Sequence, residues 1–450
     1  MDNTKLLAFW IKVNELFEYH CAKMDLVWQK RKRILDTRLL VIFIFKMILS
    51  KSKQGYGSTI WQLWDTCNTK DIKLPQFNTI AASSLCEARQ KLPESIFVTL
   101  NNELLTLWHN NHETPLWNGH KVFAVDGSKL NMPTGLLNYG FRISKDSGRH
   151  YPNGMMSCLY NLHEQLVYDF ELVDHNDERS CAINHLKVLK ANDLVIFDRG
   201  YFSYFMFYSM VQNNVDAVFR MQVGNGTVNS KVQAFYKSDN TDTIIEYVPS
   251  APVKHEIKKR GHHIEFKPLT IRLIKYIIKN QVYVCATTLL DQVKYPANSF
   301  SDLYHSRWGI EELYKISKTF IDVEDFHSQT LRTVKQELYA HLLLINIARM
   351  FELDAYNMIP SQQYVNQVDI AISADTQPFK INFKNCLATV GHYIEDLFLT
   401  GKNSIETWLH KQMKSVAKLR QRIRPNRSYP RVSFKPRNSW TSFGKAGAKA

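Results

Sequence analysis

Lys121-Val-Phe-Ala-Val-Asp126-Gly-Ser-Lys-Leu-Asn-Met-Pro133 reads as an apolar strand that ends in a carboxylate and passes into a Gly-Ser turn. Asp193-Leu-Val-Ile-Phe-Asp198-Arg-Gly-Tyr201 repeats the arrangement, with a glycine turn leading into a helical stretch over 202–211. In an open α/β sheet functional groups collect at the carboxyl ends of strands, so the two aspartates are placed to share a site. Taken singly, each also fits an ordinary turn or helix-capping aspartate.

The neighbouring pattern gives these strands a context. Residues 154–162 and 165–173 are two strand-like runs flanking His163-Glu164, which predicts a hairpin, with turn and surface roles for Gly154 and His163. A helix follows over 178–190, then the Asp198 strand, a helix, and a strand over 215–223. Three antiparallel strands followed by helix–strand–helix–strand is the layout of a ribonuclease-H-like, or retroviral-integrase-like, α/β core.

A third segment adds charged side chains. In Tyr304-His-Ser-Arg307-Trp308-Gly-Ile-Glu311-Glu-Leu-Tyr-Lys-Ile-Ser-Lys318, one continuous helix would bring Tyr304, Arg307, Glu311, Lys315 and Lys318 within an arc of roughly 80°. Ile310, Leu313, Ile316 and Phe320 fall on the opposite side. An acid among bases suits a site that holds both a metal cation and a polyanion. The same residues also fit a solvated face carrying an i,i+4 pair between Arg307 and Glu311.

These blocks together resemble the DDE transposases of bacterial insertion sequences, in the insertion-sequence-four family. Its D-G-[ST]-x-L-x-x-P block is matched by Asp126 to Pro133, its D-[RA]-G-[YF] block by Asp198 to Tyr201, and Y-x2-R-x3-E-x6-K by Tyr304, Arg307, Glu311 and Lys318. Glu312 is the neighbouring decoy, excluded by spacing and by helix face. The resemblance implies that Asp126, Asp198 and Glu311 are catalytic and bind two Mg²⁺ ions, for which Mn²⁺ can substitute. Asp126 would serve both ions, Asp198 one and Glu311 the other. Tyr304, Arg307 and Lys318 would bind DNA, gripping phosphates beside a flipped base near the cut. The implied activity is cut-and-paste transposition: strand cleavage, hairpin formation and strand transfer on double-stranded DNA, at terminal inverted repeats and target, by a homodimer in a synaptic complex. A catalytically silent, transposase-derived DNA-binding protein and a junction-resolving nuclease are the competing readings.

Composition agrees with a nucleic-acid partner. The formal net charge is +15 over 450 residues, which favours a polyanion, although a ribosomal or anionic membrane surface would also account for it. The most apolar run, 39–49, is short and contains Lys46, so no membrane span and no secretory signal are expected. Seven scattered cysteines without a C-x-x-C pair argue for reduced thiols in the cytoplasm of a prokaryote and against a zinc site.

The remaining regions set the expected domains. Residues 1–112 read as a helical DNA-binding unit, with helices over 6–24, 30–49 and 83–92 and a turn within 50–76. Glu87-Ala-Arg89-Gln-Lys91 fits either a helix-turn-helix or a structural cap with a charged outer face. The core occupies 113–223 and resumes over 301–350, interrupted by a β-rich insertion over 224–300. In that insertion Lys258–His263 could follow phosphates or form a solvated hairpin tip. Residues 351–450 form a helical and basic C-terminal region. After Glu406 it contains no acid, yet carries Lys411, Lys414, Lys418, Arg420, Arg422, Arg424, Arg427, Arg431, Lys435, Arg437, Lys445 and Lys449. Such a run is expected to be extended when free and to neutralise phosphates when bound.

Overall fold

The computed structural model describes residues 3–31, 34–50, 55–144, 150–175, 177–224, 230–278, 280–356 and 379–423. The chain opens with five helices: α1 (Asn3–Trp28), α2 (Thr37–Leu49), α3 (Tyr56–Thr69), α4 (Ala82–Lys91) and α5 (Ser95–Asn111). Helix α2 starts later than its apolar spacing suggests because Asp36 caps it, accepting from the Leu39 N–H. Helix α3 occupies the segment expected to turn. Its buried stripe of Ile60, Leu63, Trp64 and Cys67 recurs at helical spacing, which outweighs Gly57 in the first turn.

The core follows as β1 (Val122–Asn131), β2 (Asn153–Asn161), β3 (Leu166–Val173), α6 (Glu178–His185), β4 (Leu194–Phe197), α7 (Tyr204–Gln212) and β5 (Asp216–Arg220). Next come α8 (Ser230–Lys237), β6 (Asp242–Tyr247), α9 (Ala251–Lys259), β7 (Leu269–Ile278) and β8 (Gln281–Thr287). One eight-stranded sheet contains all of these strands in the order β3-β2-β1-β4-β5-β8-β7-β6. Strands β1, β2 and β3 run antiparallel, and β4 and β5 are parallel to β1. The order 3-2-1-4-5 with these directions is the ribonuclease-H-like sheet. Strands β6–β8 extend it edgewise, β8 pairing antiparallel to β5, so the inserted strands lengthen the sheet. Two helices accompany them. The Lys258–His263 cluster ends α9 and enters the following turn, which corrects the hairpin-tip expectation.

Alternation along the central strands separates two cores. Val122, Ala124, Leu194, Ile196 and Val218 face one side, while Phe123, Val125, Val195, Phe197, Ala217 and Phe219 face α6 and α7 on the other. The first side is covered by α10 (Ser299–His305), α11 (Trp308–Thr319) and α12 (Leu331–Ala355), together with the N-terminal helices. Helix α12 is buried over most of its length, and the polar side chains it takes inside, such as Glu337 and Asn346, are hydrogen-bonded there. It also guards the sheet edge. Asn346 accepts from the Val167 N–H at 2.8 Å and donates to the Val167 carbonyl at 2.7 Å, satisfying edge groups that would otherwise pair with another strand.

The last described elements are β9 (Phe379–Ile381), α13 (Phe383–His392), α14 (Ile394–Phe398), α15 (Lys402–Lys418) and β10 (Arg420–Arg422). Helix α15 buries Ile405, Leu409, Met413 and Val416 and turns Lys411, Lys414 and Lys418 outward. The first part of the basic run is therefore helical rather than extended, and from Arg424 onward it lies outside the described residues. All seven cysteines are free thiols, six of them buried. Among the described residues no helix is long and apolar enough to cross a membrane.

Candidate active site

Strand β1 pairs with β4 only as far as Ala124 opposite Ile196, while its pairing with β2 continues to Asn131. Asp126 therefore lies within a strand, at the place where β4 leaves it, and the Gly127-Ser128 pair continues the strand instead of turning. Two residues beyond the matched Ala124 and Ile196 stand Asp126 and Asp198. A period of two gives both side chains the same face of the sheet, the face on which α11 lies. Tyr314 of α11 donates to the Asp126 carbonyl at 2.6 Å, fixing the helix against the strand.

Tyr304 and Glu311 are carried by two helices instead of one. Helix α10 ends at His305 and α11 begins at Trp308, with Ser306 and Arg307 between them. The break leaves the functional residues together. The Tyr304 hydroxyl donates to Asp198 Oδ1 at 3.0 Å. Arg307 Nη2 donates to Glu311 Oε1, and Nη1 stands 3.9 Å from Asp126 Oδ2. Arg220, at the end of β5, stands 3.9 Å from Asp198 Oδ1 and lies over the Tyr283 ring at 4.7 Å. Glu312 pairs outward with Lys315, so the decoy acid and Lys315 are both away from the site. Lys318 is half-buried and donates to the Lys129 carbonyl at 2.5 Å.

Arg307 thus pairs with Glu311, stands near Asp126 and acts on Asp198 through its charge. The Arg307 side chain is 6% exposed, whereas Asp198 and Glu311 are 42% and 46% exposed, so Arg307 forms a floor beneath carboxylates that remain open above it. Its Nε is buried without a hydrogen-bond partner among the described residues. The electrostatics differ between the two aspartates. Burial pushes Asp126 up to about 6, against the Gly127 N–H and Arg307, with Glu178 and Asp198 adding repulsion. Burial also pushes Asp198 up, but the Arg199 N–H, Arg307, Tyr304 and Arg220 outweigh it and hold this carboxyl below its ordinary value. Lys318 is lowered by burial.

The donor set suits a divalent ion: hard carboxylate oxygens on adjacent strands and a facing helix, open on one side. Among the described residues, however, no three such side chains stand at the spacing that would hold an ion. The acids surround the Arg307 charge instead. A cation fits the site only if it shares or displaces that guanidinium.

Several residues near the acids went unassigned in the sequence. Glu178, in the first turn of α6, has its carboxyl raised by burial and by Asp198, against Lys129 and Tyr201. An acid opening a helix looks like a dipole-favouring residue, so only the fold reveals its place. Tyr201 closes the second motif block, and its buried hydroxyl stands beside the Glu178 carboxyl. Arg220 had a usable signal, being a lone cation at the end of an apolar strand. In the N-terminal unit Arg89 is buried against α12, which favours the structural-cap reading of its helix.

Comparison with known proteins bears on the whole chain. The family pattern described as the transposase DDE domain matches residues 117–347. The transposase InsG of insertion sequence element IS4 from Escherichia coli (strain K12) is 24% identical over 342 residues, which is 74% of this chain and 72% of that protein. Among solved structures, the cryo-electron-microscopy structure of the piggyBac transposase synaptic complex with hairpin DNA aligns with 95% of this chain and 87% of its own. Its TM-score is 0.41 at 10% identity, a likeness too distant to inform individual residues. With the family pattern spanning half the sequence and the ribonuclease-H-like strand order beneath it, the chain belongs to the DDE transposases of the insertion-sequence-four group and is a DNA transposase.

Proposed function

We propose that Asp126, Asp198 and Glu311 are the catalytic carboxylates and that they hold two Mg²⁺ ions, or Mn²⁺ in their place. The supporting observation is their convergence on the single Arg307 guanidinium at the edge where β4 parts from β1. Bound there, divalent ions would acidify water, neutralise the charge developing on the phosphate and stabilise the departing oxygen. The protein's own contribution is positional. Tyr304 orients Asp198 through its 3.0 Å hydrogen bond, and Arg220 adds positive charge on the same carboxylate. Arg307 orients Glu311 from below and limits repulsion among acids that would otherwise face one another.

The same reading covers the DNA steps. Strand cleavage frees a 3′-OH, whose attack on the opposite strand makes a hairpin; water reopens it, and the 3′-OH then joins target DNA. Lys318 is the residue of the signature best placed to reach a phosphate, because its ammonium borders solvent on the strand carrying Asp126. Tyr304 and Arg307 lie beneath the acids, so their hold on Asp198 and Glu311 comes before any grip on DNA. The protein would act on terminal inverted repeats and target DNA as a homodimer, its 1–112 helical unit and basic C-terminal region adding DNA contacts around the core.

The test is cleavage of a duplex carrying the element's ends, with end binding measured in parallel. Replacing any of the three acids by its amide should remove cleavage and leave binding largely intact. Retained nicking by a variant would remove that residue from the site.

A further inference from the structure

On the face of the sheet opposite α11, helix α6, the first turn of α7 and helix α9 enclose a cavity of about 430 Å³, the size of a small-molecule site. Buried Tyr204, Met206 and Ile257 give it an apolar lining. His262 stacks on Phe205 with ring centroids 3.9 Å apart and planes at 19°, so two further lining residues form a flat aromatic wall. Two guanidinium groups border this apolar space, those of Arg179 on α6 and Arg260 at the end of α9. Both nearby acids are spent on Arg260: Glu256 accepts from its Nε at 2.9 Å, and Asp177 stands 3.7 Å from Nη1. Arg179 commits its Nε to the Gly200 carbonyl at 2.8 Å and makes no ion pair among the described residues. Burial and the Arg260 charge lower its pKa, against Asp177. An anion at its Nη groups would relieve that repulsion.

We propose that this cavity binds a single unpaired nucleotide, its base against the His262–Phe205 wall and its phosphate on the Nη groups of Arg179. A base has two apolar faces that stack on aromatic rings whatever its identity, and a phosphate takes the paired N–H groups that a guanidinium presents. An apolar space of this volume with one uncommitted arginine at its border matches a planar ring carrying one acidic group. A duplex cannot enter it. The nucleotide can be free or can belong to an unpaired stretch of a DNA strand. Because the cavity lies across the sheet from Asp126, Asp198 and Glu311, its role stands apart from their reading as metal ligands. Arg179 is the link between the two faces: it holds the Gly200 carbonyl in the turn that follows Asp198, so the occupant and that turn share one side chain.

Calorimetric titration of the full-length protein with deoxyadenosine monophosphate tests the site, in chelator so that no divalent ion bridges the ligand to the acids. Saturable binding is expected. It should weaken by about tenfold or more for deoxyadenosine, which lacks the phosphate, and for inorganic phosphate, which lacks the base. Arg179→Ala removes the phosphate partner, and Val253→Trp fills the cavity without removing a charge. Each should weaken binding by about tenfold or more, with thermal melting showing that the variants fold. Should Val253→Trp fail to fold, His262→Ala takes one ring from the wall and is expected to act in the same direction. A single-stranded oligodeoxyadenylate that displaces the monophosphate assigns the nucleotide to DNA, and one that does not assigns it to the free pool; both results keep the site. Absence of saturable binding, or affinity unchanged in a folded Arg179 or cavity variant, would overturn the proposal.

Discussion

Two buried arginines are held in opposite ways. Arg89, where α4 meets α12, fills its fork: it donates to Glu337 Oε1 at 2.8 Å, the Thr333 carbonyl at 3.1 Å, Gln336 Oε1 at 3.3 Å and the Tyr56 hydroxyl at 2.6 Å. Glu337 is completed in turn by the His327 N–H and the Ser328 hydroxyl. Arg307, at the sheet edge, leaves its Nε without a partner among the described residues, donates to Glu311, stands 3.9 Å from Asp126 and reaches Asp198 only through its charge. A completed network specifies a fold; an incomplete one, open to solvent above, retains unused capacity for a ligand. The contrast separates the scaffold of this transposase from its candidate active edge.

The largest expected effect is on catalysis. Asp126→Asn, Asp198→Asn and Glu311→Gln should each lower end cleavage by about 10³-fold or more, the scale of a lost transition-state charge partner, without lowering the melting temperature. A melting temperature that fell with activity would make these acids part of the scaffold. Conversely, Arg89→Ala should destabilise by about 3–5 kcal/mol because Glu337 is left as an uncompensated buried charge. Urea unfolding would show it, and an unchanged midpoint would break the comparison from the other side.

Arg307→Ala should impair nicking and hairpin formation together, since it disorders Glu311, while changing stability less than Arg89→Ala. Lys318→Ala should be milder and fall mainly on the hairpin step. Product analysis on denaturing gels distinguishes the two, and selective hairpin loss in Arg307→Ala would show that this arginine works on phosphate first.

The smallest effect is a pH-dependent one. Asp126 is raised to about 6 in the fold from an ordinary 3.8, so its charged form opposes folding. That penalty is complete above pH 6, declines as pH falls through 6 and is gone below the ordinary value. Without divalent metal, Asp126→Asn should therefore be more stable than wild type at pH 8, and equal to it near pH 3.5. Equal melting curves at both pH values would mean that Asp126 carries no such burden.

How far the sequence could be read follows the same division. Local patterns announced the core strands, and their order predicted the sheet, because alternation and turn chemistry are short-range properties. The three motif acids were legible for the same reason. Tertiary pairing hid the rest. That β1 continues past Asp126 depends on β2, which lies across a connection and supplies partners out to Asn131. The break at Ser306 and Arg307 is invisible to helical spacing, since both residues keep right-handed helical angles. Arg89 reads as a surface cation until Glu337, far along the chain, is brought beside it.

The central claim is that Asp126, Asp198 and Glu311 form one divalent-metal site. Anomalous diffraction from crystals of the protein grown with Mn²⁺ tests it most directly. Manganese peaks are expected among these three carboxylates, with the Arg307 guanidinium moved from its present place between them. Manganese bound elsewhere, with the three acids still gathered on Arg307 at saturating metal, would contradict it.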